Sequence, residues 1–307
     1  MRFPATLQEF QNQFPDDDSC WQALRRARWP RGFRCPRCRC PESSWIATRA
    51  LEQCSRCRYQ CSVTAGTVFH GTRVTLRVWF WAIFFLGRHK KGISALQFQR
   101  DTGLGSYQTA WTLLHKLRSA LAPRSDALLT GLVEVDETYV GGAEVGRRGG
   151  REVLNKSIVI AAVEQRTHTA GRARLQVIDG VTFEHDLGPF VTGVIDVDRT
   201  VVRTDGFAAY RPLNRAGVRH ERCVQGLGKA RAKEVLPWAH VTFGNLKSWL
   251  RGTFHGVGHK HLQRYLDEFT YRFDRRWEED QLGGFVLQRA ARAKPLPYRR
   301  LVAEPVG

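Results

Sequence analysis

The stretch LVEVDETYV, residues 132–140, decides how the chain reads. Its apolar and β-branched residues mark a strand. Yet Glu134, Asp136 and Glu137 stand at alternating and adjacent positions among Leu132, Val133 and Val135. A carboxylate inside a core strand costs free energy unless it is paired or holds a metal. A second acid of this kind is Asp205, where Thr204-Asp205-Gly206 ends the run Val201-Val202-Arg203-Thr204 and Gly206 permits a sharp exit. Two such aspartates, side by side on neighbouring strands, can coordinate Mg²⁺ ions about 3.5–4 Å apart for in-line phosphoryl transfer. A lone Asp at a strand end is also an ordinary turn former, so the pair carries the reading and neither residue does so alone.

Around this stretch, Ser157 to Val163, Leu175 to Ile178 and Thr200 to Arg203 are short, β-branched and bounded by Gly, Asp or Thr, which is strand-like. Farther on, Asn245 to Leu250 and Lys260 to Phe273 read as helical, the second spacing Leu262, Tyr265, Leu266, Phe269 and Phe273 at threes and fours. Strands therefore precede helices in one α/β region. Upstream, Pro123 and the polar residues to Asp126 set a boundary near 125–130. The insert GGAEVGRRGG at 141–150 and the segment from Ala293 onward read as loops.

The 307 residues allow two or three domains with a substantial core. A formal net charge of +19 points to a polyanionic partner. The charge is front-loaded: residues 1–130 hold 20 Lys/Arg against 8 Asp/Glu, and from Gln53 to Arg100 there are eight Lys/Arg and no carboxylate. Such a window attracts phosphate. A second acid-free window, Val235 to Leu266, carries Lys247, Arg251 and Lys260 as candidate DNA-backbone contacts. The longest apolar run, Val78 to Gly87, is about half the ~20 residues a membrane helix needs. No membrane partner is expected. No basic region followed by an apolar one marks the N-terminus for export, so the expected location is the cytoplasm, on the nucleoid.

Seven of the eight cysteines lie between Cys20 and Cys61. Cys35 and Cys38 form one CxxC, and after fifteen residues Cys54 and Cys57 form another. This spacing fits two knuckles closing a four-thiolate zinc site, structural because all four coordination positions are filled. Cys20, Cys40, Cys61 and Cys223 are surplus and read as packing residues, although Cys40 lies close enough in sequence to compete as a ligand.

Thr75 to Leu86, rich in Trp and Phe, is too apolar for a solvent-exposed helix. Ile93 to Arg100 and Ser106 to Leu117 then form two amphipathic helices joined through Gly103, as a helix-turn-helix or as a plain helical hairpin. Ser106 suits an N-cap, which puts Tyr107, Gln108 and Thr109 in the first turn as candidate DNA readers.

The blocks AGTVFHGT (65–72), VDETYVGG (135–142), TDGFAAY (204–210) and NLKSWLRGTFHGVGHKHLQRYLDEFTYRFDRR (245–276), behind a zinc ribbon, resemble an insertion-sequence DDE transposase with an ISXO-like transposase domain. The resemblance spans roughly residues 15–277. It implies a ribonuclease-H-like catalytic domain, α/β in class, preceded by a zinc ribbon and a helix-turn-helix. The resulting divisions are 1–70 (ribbon region), 71–125 (helix-turn-helix region), 126–280 (catalytic domain) and 281–307 (basic tail). In such a domain the first and fourth strands are neighbours, which would bring Asp136 beside Asp205. The resemblance matches Asn245 to the third catalytic position, so Asp136, Asp205 and Asn245 would hold two Mg²⁺ (or Mn²⁺) ions, and Lys247 would touch phosphate. It also implies binding of the element's terminal repeats, cleavage and strand transfer, and a homo-oligomer on DNA. Because a carboxamide carries no charge, the rival reading is a zinc-ribbon DNA-binding regulator with an inactive nuclease-like domain.

Overall fold

The computed structural model describes residues 2–124, 127–141, 156–223 and 235–303. Most of the 141–150 insert therefore lies outside the described residues. Two units divide the chain, Met1–Leu121 with Trp277–Ala303, and Ala122–Arg276.

In the first unit, Thr6 and Glu9 form a reciprocal capping box that starts α1 (Leu7–Gln13). Asp16 starts α2 (Asp17–Arg28) in the same way with Ser19. A three-stranded antiparallel sheet follows: β1 (Ser43–Ile46), β2 (Leu51–Cys54) and β3 (Gln60–Cys61). The apolar segment forms α3 (Leu76–Arg88), with Trp79, Phe80, Ile83 and Phe84 buried. Its own N-cap residue, Thr75, makes no side-chain cap. The Asp17 carboxylate accepts from the amides of Leu76 and Arg77 instead, at 3.1 and 2.9 Å. Ser94 caps α4 (Ala95–Thr102), Gly103 ends it at φ 68°, and Ser106 caps α5 (Tyr107–Ser119).

The second unit is built on a five-stranded sheet. Its strands are β4 (Leu129–Val140), β5 (Ser157–Gln165), β6 (Ala170–Ile178), β7 (Ile195–Thr204) and β8 (Arg219–Arg222). They lie in the order β6-β5-β4-β7-β8. β5 runs antiparallel to β4 and β6, and β7 runs parallel to β4 and β8. The first and fourth strands are thus neighbours. Between β6 and β7 lies α6 (Gly188–Val194), and after β8 come α7 (Pro237–Phe254) and α8 (His259–Asp274). The sheet is apolar on both faces. One face packs Val159, Ala161 and Val163 under Phe243, Leu246, Trp249, Leu262 and Leu266 of the two long helices. The other packs Val133, Val135, Ile160 and Ala162 against Phe190, Val191, Tyr210 and Leu213.

Two features depart from the sequence reading. β8, Arg-His-Glu-Arg, has no apolar residue to announce it, as suits a charged edge strand. The segment from 281 onward, expected as a basic tail, forms α9 (Leu282–Ala290) and α10 (Tyr298–Ala303) in the first unit. Leu282, Val286, Leu287, Ala290 and Leu301 are buried. Gly87 of α3 meets Gly283 of α9 so closely that a Cβ on Gly87 would lie 2.8 Å from the Gly283 Cα. Two side-chain-free positions are what this crossing requires.

Candidate active site and metal centre

The four cysteines converge. Cys35 Sγ lies 3.6 Å from Cys57 Sγ and Cys38 Sγ 3.5 Å from Cys54 Sγ, and all four sulfurs fall within 4.8 Å of one another. A tetrahedron of 2.3 Å Zn–S bonds has edges of about 3.8 Å, so the set fits zinc. The knuckles repeat one geometry. Arg39 N donates to Cys35 O and Arg58 N to Cys54 O, each at 3.0 Å, with Arg39 and Arg58 at φ 65° and 57°. The Cys57 amide, helped by that of Arg56, draws the Cys54 thiol down to about 6 against the effect of burial. That favours the thiolate a metal needs. Cys40 is not in the cluster; its carbonyl closes the first knuckle by accepting from Cys35 N at 2.9 Å. Burial pushes the Cys20 thiol up to about 12, as befits a packing residue.

The second cluster lies where β4 meets β7 and α7. With Val133 and Val135 facing one core, strand alternation turns Glu134, Asp136 and Thr138 to the α7 side. β4 pairs with β7 through Val133↔Val202 and Glu134↔Arg203, the last pair of the ladder; Asp136 lies two residues beyond it on β4, and Asp205 directly follows Thr204, where β7 ends. The strands are about 4.8 Å apart. Burial, followed by the charge of Glu137 and then that of Asp205, pushes the Asp136 carboxyl up to about 7. Asp205 is fixed by accepting from Phe207 N at 2.9 Å. Glu137 points to the other face, where its Oε2 accepts from the Tyr210 hydroxyl at 2.7 Å.

Three contacts hold α7 against β4. Glu134, fully buried, accepts from Trp238 N and Ala239 N at 2.8 Å each and so caps a helix whose own N-cap residue does not. His240 Nε2 stands 3.9 Å from Asp136 Oδ2. Lys247 Nζ donates to Thr138 Oγ1 at 2.7 Å. Asn245 is not brought to this group. Five residues beyond His240 it is turned about 140° around the axis, exposed beside Val241 and Ser248. The α7 residue whose side chain stands beside Asp136 is His240.

Residues 128–274 match the ISXO2-like transposase domain, and residues 15–60 match the transposase zinc-ribbon domain. The chain belongs to the insertion-sequence transposases. A relative 29% identical over 266 residues, covering 81% of this chain and 88% of its own, is a protein in transposable element ISH50 of Halobacterium salinarum. The domain match in this transposase opens just before β4 and closes at the last residue of α8, so it contains the whole five-stranded sheet.

The other candidate residues of the transposase lie as follows. Tyr107 and Gln108 are exposed at the start of α5, and Thr109 is half-buried, its amide donating to the Ser106 cap. Arg251 and Lys260 are exposed, Arg251 near the end of α7 and Lys260 in the first turn of α8. Trp249, Leu250 and Phe269 are core. Sequence reading misses His240, and the available signal is helix phase. His240 and Lys247 are seven apart and therefore share a face. Among the described residues no helix is long and apolar enough to cross a membrane.

Proposed function

We propose that the transposase binds the terminal inverted repeats of its element and catalyses metal-dependent cleavage and strand transfer in a ribonuclease-H-like domain. Asp136, Asp205 and His240 form its catalytic centre. What supports this reading is the parallel pairing of β4 with β7 through Glu134↔Arg203, two residues short of Asp136 and Asp205, the charge of Asp205 among the causes that raise the Asp136 carboxyl, and His240 Nε2 at 3.9 Å from Asp136 Oδ2. A carboxylate buried enough to hold its proton near neutral pH, close enough to Asp205 to feel its charge, suits a divalent cation. The imidazole adds a donor that favours Mn²⁺ over Mg²⁺. Bound ions would supply Lewis-acid stabilisation of the attacking and leaving oxygens.

The protein's own residues do the rest. Glu134 anchors α7 so that His240 meets Asp136. Lys247, steered by Thr138, presents a cation to phosphate beside the carboxylates. The zinc ribbon, with Cys35, Cys38, Cys54 and Cys57 around one structural Zn²⁺, and the α4–α5 pair, acting as a helix-turn-helix through Tyr107, Gln108 and Thr109, engage the element ends. Pairing two ends calls for a homo-oligomer on DNA, and the work is cytoplasmic.

The test is cleavage of end-bearing DNA by the full chain with Mn²⁺ or Mg²⁺. D136A and H240A lose at least ~100-fold in rate, the scale of removing a group that contacts the reacting centre, while end binding is retained. N245A stays near wild type. Loss in N245A with activity kept in H240A would return the third position to Asn245. A wild-type chain that binds ends and never cuts with either metal would instead be a regulator.

A further inference from the structure

A cavity of about 1200 Å³ opens in the catalytic unit where β4 ends, lined by Tyr139 to Gly141, Lys156, Ser157, the end of α7 and the start of α8. Its charge is one-sided. Lys156, Lys247, Arg251, His255 and His259 line it, and among the described residues no carboxylate does. Two further features favour an anion. The N-terminus of the 16-residue α8 reaches the cavity with Gly258, which has no side chain, as its N-cap, which turns the positive end of the helix dipole towards it. Gly258 has an ordinary φ of −66°, and a Cβ there would meet nothing within 4 Å, so neither strain nor crowding demands glycine. Glycine at such a position lets another backbone approach closely. His259 is held by a 2.9 Å hydrogen bond between its Nδ1 and Ser157 Oγ. When Nδ1 accepts, Nε2 carries the ring proton as a donor.

The cavity is also in line with the proposed catalytic centre. Asp136, Thr138 and Val140 lie on one face of β4, and α7 runs beside them from His240 through Lys247 to Arg251. At about 3.3 Å per strand residue, Thr138 is ~7 Å from Asp136 and Gly141 ~16 Å. At 3.4 Å per nucleotide along one strand of the duplex, that span corresponds to about two to five nucleotides.

We infer that this cavity grips the phosphodiester backbone of the DNA strand on one side of the bond being cut, about two to five nucleotides away, through Lys156, Arg251, His255 and the amides at the start of α8. The inference rests on the proposed phosphoryl-transfer centre for its distances, while the anion site itself can be read without catalysis.

Two measurements on the zinc-loaded full chain test it. The first is the salt dependence of binding to a fixed DNA duplex. The double variant K156Q/R251Q should flatten the slope of log Kobs against log[KCl] by about 0.9 for each phosphate no longer neutralised, close to 2 for the pair. K156R/R251K, which keeps both charges, should restore the wild-type slope. An unchanged slope in a K156Q/R251Q protein of normal zinc content and melting temperature would overturn the site. The second is cleavage of substrates carrying neutral methylphosphonate linkages, placed singly along the strand on each side of the cut. Wild type should slow about tenfold, equivalent to ~1.4 kcal/mol, only for linkages on one side within that span. K156Q/R251Q, already slow, should be insensitive to the same linkages. Equal tolerance of neutral linkages everywhere would overturn the placement of the strand. If wild type cuts nothing, the catalytic reading fails, and the salt slopes still decide the anion site.

Discussion

At residue scale the Asp136 proton ties stability to pH and, if the proposed centre holds a cation, to metal. The folded chain holds this proton up to about 7, whereas in the unfolded chain an Asp titrates near 3.9. Folding therefore takes up a proton between those values. In the metal-free protein this site's stabilising contribution is complete below pH ~4 and falls away as pH climbs towards 7. A divalent cation at the proposed centre would compete with the same proton. The rise in melting temperature on adding MnCl₂ should accordingly be small at pH 5.5 and large at pH 8. D136N should abolish that rise and make the metal-free protein more stable than wild type at pH 8; equal shifts at both pH values would show that Asp136 does not hold the ion. The proposed aspartate pair comes from the sequence because each acid stands in or at the end of an apolar run. The proposed third member is not, since it depends on which face of α7 meets β4. Residue type and family resemblance point to Asn245, whereas the phase of the helix against Glu134 and Thr138 puts His240 beside Asp136, which is the ground for proposing it.

At element scale, two of the long helices begin without a side-chain cap of their own and borrow a carboxylate from elsewhere: Asp17 for α3 and Glu134 for α7. A local reading of capping residues finds α4 and α5, where Ser94 and Ser106 do the work, but cannot find a cap supplied from about a hundred residues away. Glu134 is the more consequential of the two borrowed caps, because the helix it starts carries His240 and Lys247. E134A leaves two buried amides unpaired and should cost about 1–2 kcal/mol in stability. Its effect on strand cleavage should be larger than that cost implies, with E134Q recovering most of the activity by keeping an acceptor oxygen. Parallel losses in melting temperature and rate for both variants would reduce Glu134 to an ordinary core residue. The zinc ribbon is the element most fully written in the sequence, since spacing alone chooses its ligands. C54S should take zinc from one ion per chain to none by atomic absorption and unfold β1–β3, whose small core is Phe33 with the cysteines themselves. C40S should keep the ion.

At the scale of the whole molecule, the first unit is discontinuous: its aromatic helix α3 comes from the front of the chain, and α9, packed against it, comes from the end. Composition hides this. Residues 281–307 are rich in Arg, Pro and Gly, and only the spacing of Leu282, Val286, Leu287 and Ala290 betrays a helix with a buried face. Each fully buried Leu or Val contributes roughly 1.5–3 kcal/mol, comparable in sum to the whole stability of a small domain. Gly283 is further pinned, since a Cβ there would strike the Phe3 ring. A chain ending at Arg276 should therefore lose the fold of residues 2–121, while the five-stranded sheet, whose strands and covering helices all lie within Ala122–Arg276, persists. Amide exchange separates the two outcomes: in the truncated chain, peptides from α2 and α3 should exchange at the unfolded rate and those from β4, β5 and α8 should stay protected. A dispensable tail would leave α3 as protected as in the full chain, and the small-residue crossing of α3 with α9 would then carry no share of the fold.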